Sequence, residues 1–260
     1  MARRTLNPIL PAVGGGGGGG NPLTATVTGT STTVSGYTTD GILKLVIPPG
    51  IETISGLAYV PATEFDFPSS LRTIGQNGMN GVVAFKDVLV LPEGLQDIGN
   101  FALVGWSNAA GLVLPTTLAT LGNSSFSAWS SATSLLFKPG IALTSIGTSA
   151  FSNWSNATQL VIPEGITTIA ASAFSTWTSA LLMDLPSTLT SIAASAFSAF
   201  GPTNVANTVV RIRATTPPTL ANVNAFGSRT YQIRVPPASV AAYKAAPVWA
   251  SIASRIIADT

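Results

Sequence analysis

The main candidates for acid–base chemistry in this chain are its carboxylates, because the sequence contains no histidine and no cysteine. Those two absences exclude imidazole catalysis, thiolate nucleophiles, disulfides and the usual ligands of zinc, copper and haem. A serine nucleophile would lack a histidine base, and no Ser-x-x-Lys pattern offers a lysine in its place. The remaining candidates for catalysis that we consider are the carboxylates.

The carboxylates are few and dispersed, with ten in 260 residues. Glu93 and Glu164 follow the same type of turn in two separate stretches, whereas a glycosidase needs two carboxyls about 5–10 Å apart across one cleft. Glu64 and Asp66 could share one strand face as an acid–base or calcium site, although a solubilising role is favoured. We therefore expect a non-enzymatic protein, and assign it no catalytic, metal-binding or cofactor-binding residue and no cofactor.

Charge is scarce and unevenly distributed, with 8% charged residues and a net charge of +2. Six bases and one acid lie between Arg211 and the end of the chain, while nine acids and four bases lie between Asp40 and Phe200. Six basic residues without interleaved aromatic residues are weak evidence for a nucleic-acid-binding surface, so we do not expect nucleic acid as a partner. A solvated basic end is favoured over a surface for an acidic partner.

Two stretches resemble membrane or export segments. The range from Gly165 to Met183 is uncharged and long enough to span a bilayer, but its Ser- and Thr-rich pattern recurs along the chain with proline at a fixed phase. We therefore expect no membrane span. Arg3 and Arg4 resemble the start of a secretion signal, but the apolar stretch after them is broken by Pro8 and Pro11, so Sec export is not expected.

The sequence contains an internal repeat of 20 to 24 residues, and this repeat determines where the carboxylates and other charged residues lie in the fold. One ladder consists of prolines that follow short apolar runs: Pro48, Pro68, Pro92, Pro115, Pro139, Pro163 and Pro186. A second ladder, in phase with the first, pairs each aromatic residue with another three residues later: Phe126 and Trp129, Phe151 and Trp154, Phe174 and Trp177, Phe197 and Phe200. Two ladders in register indicate stacked structural units.

Each unit carries the signals for two short strands and one tight turn. In the unit that begins at Leu160, an apolar run is ended by Pro163, which cannot donate to a sheet ladder, and Ile166 and Ile169 form a second apolar element. The Ala-Phe-x-x-Trp segment that follows predicts a helical or 3₁₀ turn. Because no unit can bury its own apolar face, we expect a repeat solenoid of about 7–8 coils of 23–24 residues, with an extended N-terminal arm.

The repeat unit, L-x-(I/L)-P-x-x-(I/L)-T-x-I-x-x-x-A-F-x-x-W, resembles the BspA-like class of leucine-rich repeats over roughly residues 41–257. The range from Val235 to Trp249 is similar to the segment that often closes such arrays. The resemblance implies a scaffold of bacterial, protist and phage-encoded surface proteins, with no catalytic residues to carry over. The sequence departs from the family in one respect, since Trp129, Trp154 and Trp177 stand where the family commonly has cysteine.

The aromatic ladder has two interpretations. Aromatic residues in repeat phase most often pack in the core or stack between coils. Evenly spaced tryptophans could instead form a platform for glycans on one face of the solenoid. We favour the core interpretation and treat the ladder as structural.

The chain divides into four regions. Residues 1–20 predict a docking peptide, with Arg3, Arg4, Leu6, Ile9 and Leu10 as the candidate anchor, followed by a polyglycine hinge; a plain tail is the alternative. Residues 21–40 predict a Thr-rich hairpin that starts or caps the sheet. Residues 41–208 form the solenoid, and residues 209–260 form an irregular last coil with a C-terminal cap.

The function expected from these features is that of a virion protein, such as a phage tail, fibre or capsid-attached component. Its N-terminal arm would anchor it to the particle, and its solenoid would contact other virion or surface proteins, a host-surface glycan or protein, or further copies of itself, for example in a trimer. The alternative is a bacterial cell-surface adhesin on the same scaffold. An adhesin would need an export signal and an anchor, neither of which is visible in this sequence.

Overall fold

The chain folds into a parallel β-solenoid in which two rows of short strands alternate. The computed structural model describes residues 24–26, 33–34, 44–204 and 206–260. The first strands are β1 (Thr24–Thr26), β2 (Thr33–Val34), β3 (Lys44–Val46), β4 (Thr53–Ile54), β5 (Glu64–Asp66), β6 (Thr73–Ile74), β7 (Val88–Val90), β8 (Asp97–Ile98), β9 (Gly111–Leu114) and β10 (Thr120–Leu121). They are followed by β11 (Ser134–Phe137), β12 (Ser145–Ile146), β13 (Gln159–Val161), β14 (Thr168–Ile169), β15 (Leu182–Leu185), β16 (Ser191–Ile192), β17 (Val209–Ile212), β18 (Thr219–Leu220), β19 (Ile233–Val235) and β20 (Ile256–Ala258).

Every strand pairs in parallel with the equivalent strand of at least one neighbouring coil. The first row, the odd-numbered strands with β20, forms three sheets in the orders β1-β3-β5, β7-β9-β11 and β13-β15-β17-β19-β20. The second row, the even-numbered strands up to β18, forms two sheets in the orders β2-β4-β6-β8-β10 and β12-β14-β16-β18. The described part of the chain thus contains nine coils with one strand in each row, and the predicted solenoid is confirmed.

The predicted count of 7–8 coils is too low because proline does not mark every coil. Leu114 pairs with Phe137 and Leu185 pairs with Ile212, so Lys138 and Arg213 occupy the positions of Pro115 and Pro186. Pro139 therefore lies one residue out of phase with the other prolines of the ladder. Unlike proline, both basic residues keep a backbone N–H, and each donates it to the preceding coil, Lys138 to Leu114 O at 3.3 Å and Arg213 to Leu185 O at 3.0 Å.

The predicted hairpin in residues 21–40 is wrong for the two strands described there. β1 pairs in parallel with β3, and β2 pairs in parallel with β4, so the two strands belong to different sheets. They lie at the edges of those sheets and form the first coil. The Thr-rich alternation favours strands, but it does not distinguish a local antiparallel partner from a parallel partner about one repeat away.

The turns that carry the aromatic ladder are hydrogen-bonded turns, not helices, in most coils. In the turn around Phe126, Ser124 and Ala128 have φ of 52° and 64°, in the left-handed region that interrupts a helix. Each turn donates backbone N–H groups to the next coil; Phe126 N, for example, bonds Ala150 O at 2.8 Å. The predicted 3₁₀ geometry occurs at the equivalent place in one described coil, at Val223–Phe226.

All eight residues of the aromatic ladder lie in the core, each with 0% of its surface exposed. Equivalent rings stack from coil to coil; Phe126 and Phe151 have centroids 5.4 Å apart and planes 5° from parallel, and Trp129 and Trp154 have values of 5.4 Å and 3°. Within a coil the two rings meet edge to face, as Phe174 and Trp177 do at 76°. Buried rings offer no face to a glycan, so the structure does not support the platform interpretation.

Each tryptophan of the ladder also donates an indole hydrogen bond to the preceding coil. Trp129 Nε1 lies 2.7 Å from Leu103 O, Trp154 Nε1 lies 2.7 Å from Phe126 O, and Trp177 Nε1 lies 2.7 Å from Phe151 O. A buried carbonyl without a donor costs free energy, so this bond gives tryptophan a role that a purely apolar ring could not fill. Tryptophan at this position thus supplies both a stacked ring and a hydrogen bond to the preceding coil.

Two glutamates, Glu93 and Glu164, tie successive turns together at the corner marked by the prolines. Glu93 accepts hydrogen bonds from Thr116 N and Oγ1 in the next coil, and Lys138 Nζ lies 2.6 Å from it, two coils away. Glu164 accepts from Ser187 N and Oγ, and Arg213 NH1 lies 2.9 Å from it, again two coils away. The basic residues that replace proline are thus the residues that pair with these carboxylates. We call the two arrangements the glutamate clamps.

Both clamps lower the pKa of their carboxyl group. For Glu93 the hydrogen bond from Lys138 is the largest cause; burial raises the pKa, but the Lys138 bond and charge and the bonds from Thr116 together outweigh it. For Glu164 burial is the largest single influence and raises the pKa, but the bonds from Ser187, the charge of Arg213 and the bond from Thr188 together exceed it. The clamps therefore stabilise the negatively charged form of both carboxyl groups.

Residues 209–260 continue the solenoid before they close it, so the predicted irregular coil is more regular than expected. Phe226 stacks on Phe197 with centroids 5.5 Å apart. The chain then forms β19, a 3₁₀ turn (Pro237–Ser239), the short helix α1 (Val240–Ala245), a 3₁₀ segment (Trp249–Arg255) and β20. Tyr243 donates its hydroxyl to Ala214 O at 2.9 Å, and Trp249 donates its indole N–H to Pro218 O at 2.7 Å, so this cap is bonded to the last full coil.

Replacement of Phe174 by alanine should lower the free energy of unfolding by about 3–5 kcal/mol, because a fully buried ring is removed from two stacks. The measurement is urea-induced unfolding followed by tryptophan fluorescence. The matched control is Leu136→Ala, an exposed position where the change should stay within about 0.5 kcal/mol. If the two substitutions lowered the free energy of unfolding equally, the buried ladder would not be a main source of stability.

The double substitution Glu93→Gln and Glu164→Gln should make the chain less stable than the wild type at neutral pH and equally stable in acid. The folded-state pKa of each carboxyl lies below its ordinary value of 4.5, so the clamp contributes fully above that value and is lost as the pH falls through the lowered pKa. Thermal unfolding of both proteins between pH 7 and pH 2 provides the test. A difference in melting temperature that persists unchanged at pH 2 would show that the charges are not responsible.

Candidate recognition surface

The outer face of the first strand row carries a stripe of apolar residues in its four middle coils. In a strand, alternate residues face opposite sides of the sheet, and here the inward positions, such as Leu89 and Leu112, are buried. Five outward residues across β7, β9, β11 and β13 are also apolar: Val88, Val90, Val113, Leu136 and Val161, which we call the apolar stripe. The other outward positions of β11 and β13 are the exposed polar residues Ser134 and Gln159. Val90 is 56% exposed and Leu136 is 52% exposed, so water contacts the stripe directly.

A shallow cleft of about 370 Å³ opens within the stripe between β11 and β13. It lies where the first row changes from one hydrogen-bonded sheet to the next. Its walls are the two strands, and Pro139 and Pro163 close one end. Because Pro139 is shifted by one residue from the proline ladder, it faces a different part of the corner from Pro163. The cleft gives the stripe a recess that a partner's side chain could fill.

Charged residues border the stripe at both ends. On β3 and β5 the outward positions include Lys44, Glu64 and Asp66, and Lys44 Nζ lies 3.9 Å from the Asp66 carboxylate. On β15, β17 and β19 the corresponding outward residues are Asp184, Arg211 and Arg234. An apolar centre with a polar rim is the usual anatomy of a protein–protein interface.

The charges at the C-terminal end of the stripe form a network. Arg213 Nε lies 3.0 Å from Asp184 Oδ1, and Arg211 Nε lies 2.7 Å from Asp259 Oδ2. Arg213 also pairs with Glu164 and donates to Ile162 O at 3.2 Å, so one guanidinium joins three coils. This network fixes the directions of side chains next to the stripe. Arg234 has no ion pair among the described residues and remains available to a partner.

The carboxylates considered as catalytic candidates do not come together. Glu93 and Glu164 lie in clamps three coils apart, which is about 14–15 Å at the spacing of hydrogen-bonded strands. That exceeds the separation that glycoside hydrolysis uses. Glu64 and Asp66 do share the outer face of β5, but within the described residues no group of three or more Asp or Glu side chains could hold a metal ion.

The outer face of the second strand row is different, since it consists mainly of hydroxyl side chains. Its paired outward residues are Thr53, Thr73, Asp97 and Thr120 in one sheet and Ser145, Thr168, Ser191 and Thr219 in the other. The two faces of the same solenoid thus differ sharply in polarity. The candidate anchor residues Arg3, Arg4, Leu6, Ile9 and Leu10 lie outside the described residues.

Sequence reasoning missed the apolar stripe, although a signal exists. In Val88-Leu89-Val90 and Gln159-Leu160-Val161, the inward leucine is followed by an outward valine. The outward positions of the second row are mostly threonine or serine instead. Such a run also fits a strand buried on both faces, so the pattern alone does not reveal exposure. Among the described residues, no helix has both the length and the hydropathy needed to cross a bilayer.

Comparison with known proteins agrees with the fold. The model of the BspA type leucine rich repeat region matches six copies over residues 56–176 and 144–209, which is more than half of the chain. A leucine-rich repeat protein from Bacteroides ovatus has a similar structure, with a TM-score of 0.59 and 16% sequence identity. The match covers 82% of this chain and 63% of that protein, so the chain spans less than two thirds of its structural relative. No curated protein matches the chain in sequence.

A scaffold of this kind supports a surface or protein-interaction role. The repeat pattern, the parallel rows of strands and the family match all lead to one assignment. The chain belongs to the BspA-type leucine-rich repeat family.

Proposed function

We propose that this chain is a non-enzymatic recognition and assembly protein that binds a protein partner through its apolar stripe. The observation that carries the proposal is the exposure of Val88, Val90, Leu136 and Val161 on the outer face of the first strand row, across the boundary between two of its sheets. The interior is already filled by stacked leucine, isoleucine and aromatic columns, so the stripe is not needed for the core of its own chain.

Leaving the apolar stripe in contact with water costs free energy. Burial of apolar area yields roughly 25 cal/mol per Å², and exposed apolar patches on soluble proteins commonly mark interaction sites. The stripe crosses four coils, or about 14–15 Å between its outer strands. A stable protein interface buries about 800 Å² per partner, and the stripe would form the apolar centre of such an interface with its charged borders in the rim.

The chemistry of the described residues favours binding over catalysis. Glu93 and Glu164 are engaged in clamps, and the pKa of each is lowered, which is the opposite of what a general acid at neutral pH requires. Tyr231 is buried, and burial is the main reason that its pKa rises to about 12, so it stays protonated. These groups stabilise the solenoid.

The setting in this proposal is a virion, in which the chain is a phage tail, fibre or capsid-attached component. Residues 1–20 are the anchor, because two arginines and an apolar peptide precede a run of seven glycines that separates them from the rigid coils. The partners are other virion proteins and further copies of this chain, with a trimer as the arrangement to test. Low charge and an abundance of small polar residues support a role in a packed assembly.

Two lysines placed in the stripe, Val90→Lys with Leu136→Lys, should reduce incorporation of the chain into its assembly at least tenfold. Both positions are exposed, so the charges cost little in the free chain but would be desolvated in the interface. The measurement is quantitative immunoblotting of purified particles, with melting temperature as a check on folding. Ser145→Lys, on the hydroxyl face, is the matched control and should incorporate normally. Normal incorporation of the double variant would contradict the role of the stripe.

Deletion of residues 1–20 tests whether the N-terminal arm anchors the chain to a virion, independently of the apolar stripe. The truncated chain should keep the melting temperature of the full chain and be lost from particles. If the full chain fractionates with the cell envelope and never with particles, the virion setting is wrong and the adhesin alternative replaces it. If truncated protein is found in particles at the normal level, the arm is not the anchor.

A further inference from the structure

Two aromatic side chains project from the turns of the N-terminal coils into solvent. Tyr59 is 75% exposed and Phe101 is 43% exposed, whereas the aromatic residues of the ladder are fully buried. Both lie on the corner that joins a second-row strand to the next first-row strand, away from the apolar stripe. They are therefore a feature separate from the surface proposed above.

Both residues adopt a backbone conformation that disfavours large side chains. Tyr59 has a φ of 59° and Phe101 has a φ of 57°, in the left-handed region. The equivalent positions in other coils carry small or polar residues. Those equivalent to Tyr59 are Gly81, Gly105, Ala128, Asn153, Thr176 and Ala199, and those equivalent to Phe101 are Asn77, Ser124, Ser149, Ser172 and Ser195. The left-handed conformation is common to these turn positions, but at Tyr59 and Phe101 it carries a large aromatic side chain that gains little burial, which is typical of residues kept for binding.

The surroundings of Tyr59 form a flat ledge. Tyr59 N donates to Asn80 O at 2.7 Å, which fixes its turn against the next coil. The tyrosine ring lies across the backbone of Gly81, where a Cβ atom would collide with the ring. Gly105 continues this floor, since a Cβ atom there would meet the backbone of Gly81 at 3.7 Å. The absence of a side chain at Gly81 therefore lets the Tyr59 ring lie against the next coil, with 75% of the residue exposed.

The ledge carries amide groups and no charge. The turn segments 55–60, 76–81 and 99–105 contain no Asp, Glu, Lys or Arg. Gln76, Asn77 and Asn100 are exposed beside the aromatic residues. Asn100 Oδ1 accepts a hydrogen bond from Asn123 N at 2.7 Å, and its NH₂ group has no partner among the described residues. The side-chain amide is thus held in place with its donor end free.

We propose that this surface, which we call the aromatic ledge, binds a neutral oligosaccharide. Aromatic rings stack on the apolar faces of sugar rings, and amides donate to and accept from sugar hydroxyls. Tyr59 and Phe101 are separated by two coils along the solenoid, about 9–10 Å, so the ligand extends over more than one sugar ring. The absence of charge excludes a built-in preference for phosphate, sulfate or uronic acid groups.

The test is isothermal titration of the full-length chain with maltoheptaose, cellohexaose, chitohexaose and mannohexaose, and with a heparin hexasaccharide as the charged comparison. At least one neutral oligosaccharide should bind with a Kd below 1 mM, and heparin should not. Tyr59→Ala should weaken that binding at least tenfold. Leu136→Ala, in the apolar stripe, is the matched control and should bind as the wild type does.

A second variant separates binding from folding. Phe101→Asn places a residue that tolerates the left-handed region at the strained position, so it should raise the melting temperature while weakening the oligosaccharide at least threefold. A purely structural aromatic residue would give the opposite change in melting temperature. No binding by any of the neutral oligosaccharides at 5 mM, or unchanged binding by both ledge variants, would overturn the proposal. Neither result bears on the stripe, whose variants leave the ledge intact.

Discussion

The stacking of equivalent side chains from one coil to the next is the constraint on which the other features of this molecule depend. Phe126, Phe151 and Phe174 repeat at the same place in successive coils, and their rings lie nearly parallel at 5.4 Å. Main-chain hydrogen bonds of the two strand rows and of the turns set that spacing, and the indole bonds add a third tie between neighbouring coils. Since each coil buries its apolar face only against its neighbours, stability belongs to the array and not to any unit.

Once the interior is fixed in this way, the exterior is free to differ between faces and between ends. The second strand row presents threonine and serine, the first row presents the apolar stripe, and the N-terminal turns present Tyr59 and Phe101. The charged residues, although scarce, are concentrated at the clamps and at the borders of the stripe. The low overall charge is therefore a consequence of repeat geometry, because most positions face either the core or a polar neighbour in the adjacent coil.

The fold was largely predictable because its signals are local and repeated, while the candidate surfaces depend on information that a repeat does not carry. Proline marks the end of a first-row strand, but Arg213 takes its place after β17 and the ladder has no proline in the coil of β1 and β2, so a count based on proline falls short. The left-handed turns at Tyr59 and Phe101 depend on φ, which residue type alone does not reveal. Exposure of Val90 depends on which neighbour covers the sheet, and alternation within the strand does not specify that.

The claim that the ladder is the core can be tested most directly through the indole N–H groups of Trp106, Trp129, Trp154, Trp177 and Trp249. Each donates to a buried backbone carbonyl at 2.6 or 2.7 Å. Hydrogen exchange measured by NMR should therefore show all five indoles protected to nearly the same degree as the slowest backbone amides. Exchange of the three ladder indoles, those of Trp129, Trp154 and Trp177, at the rate of free tryptophan would place the rings in water and contradict the stacked core.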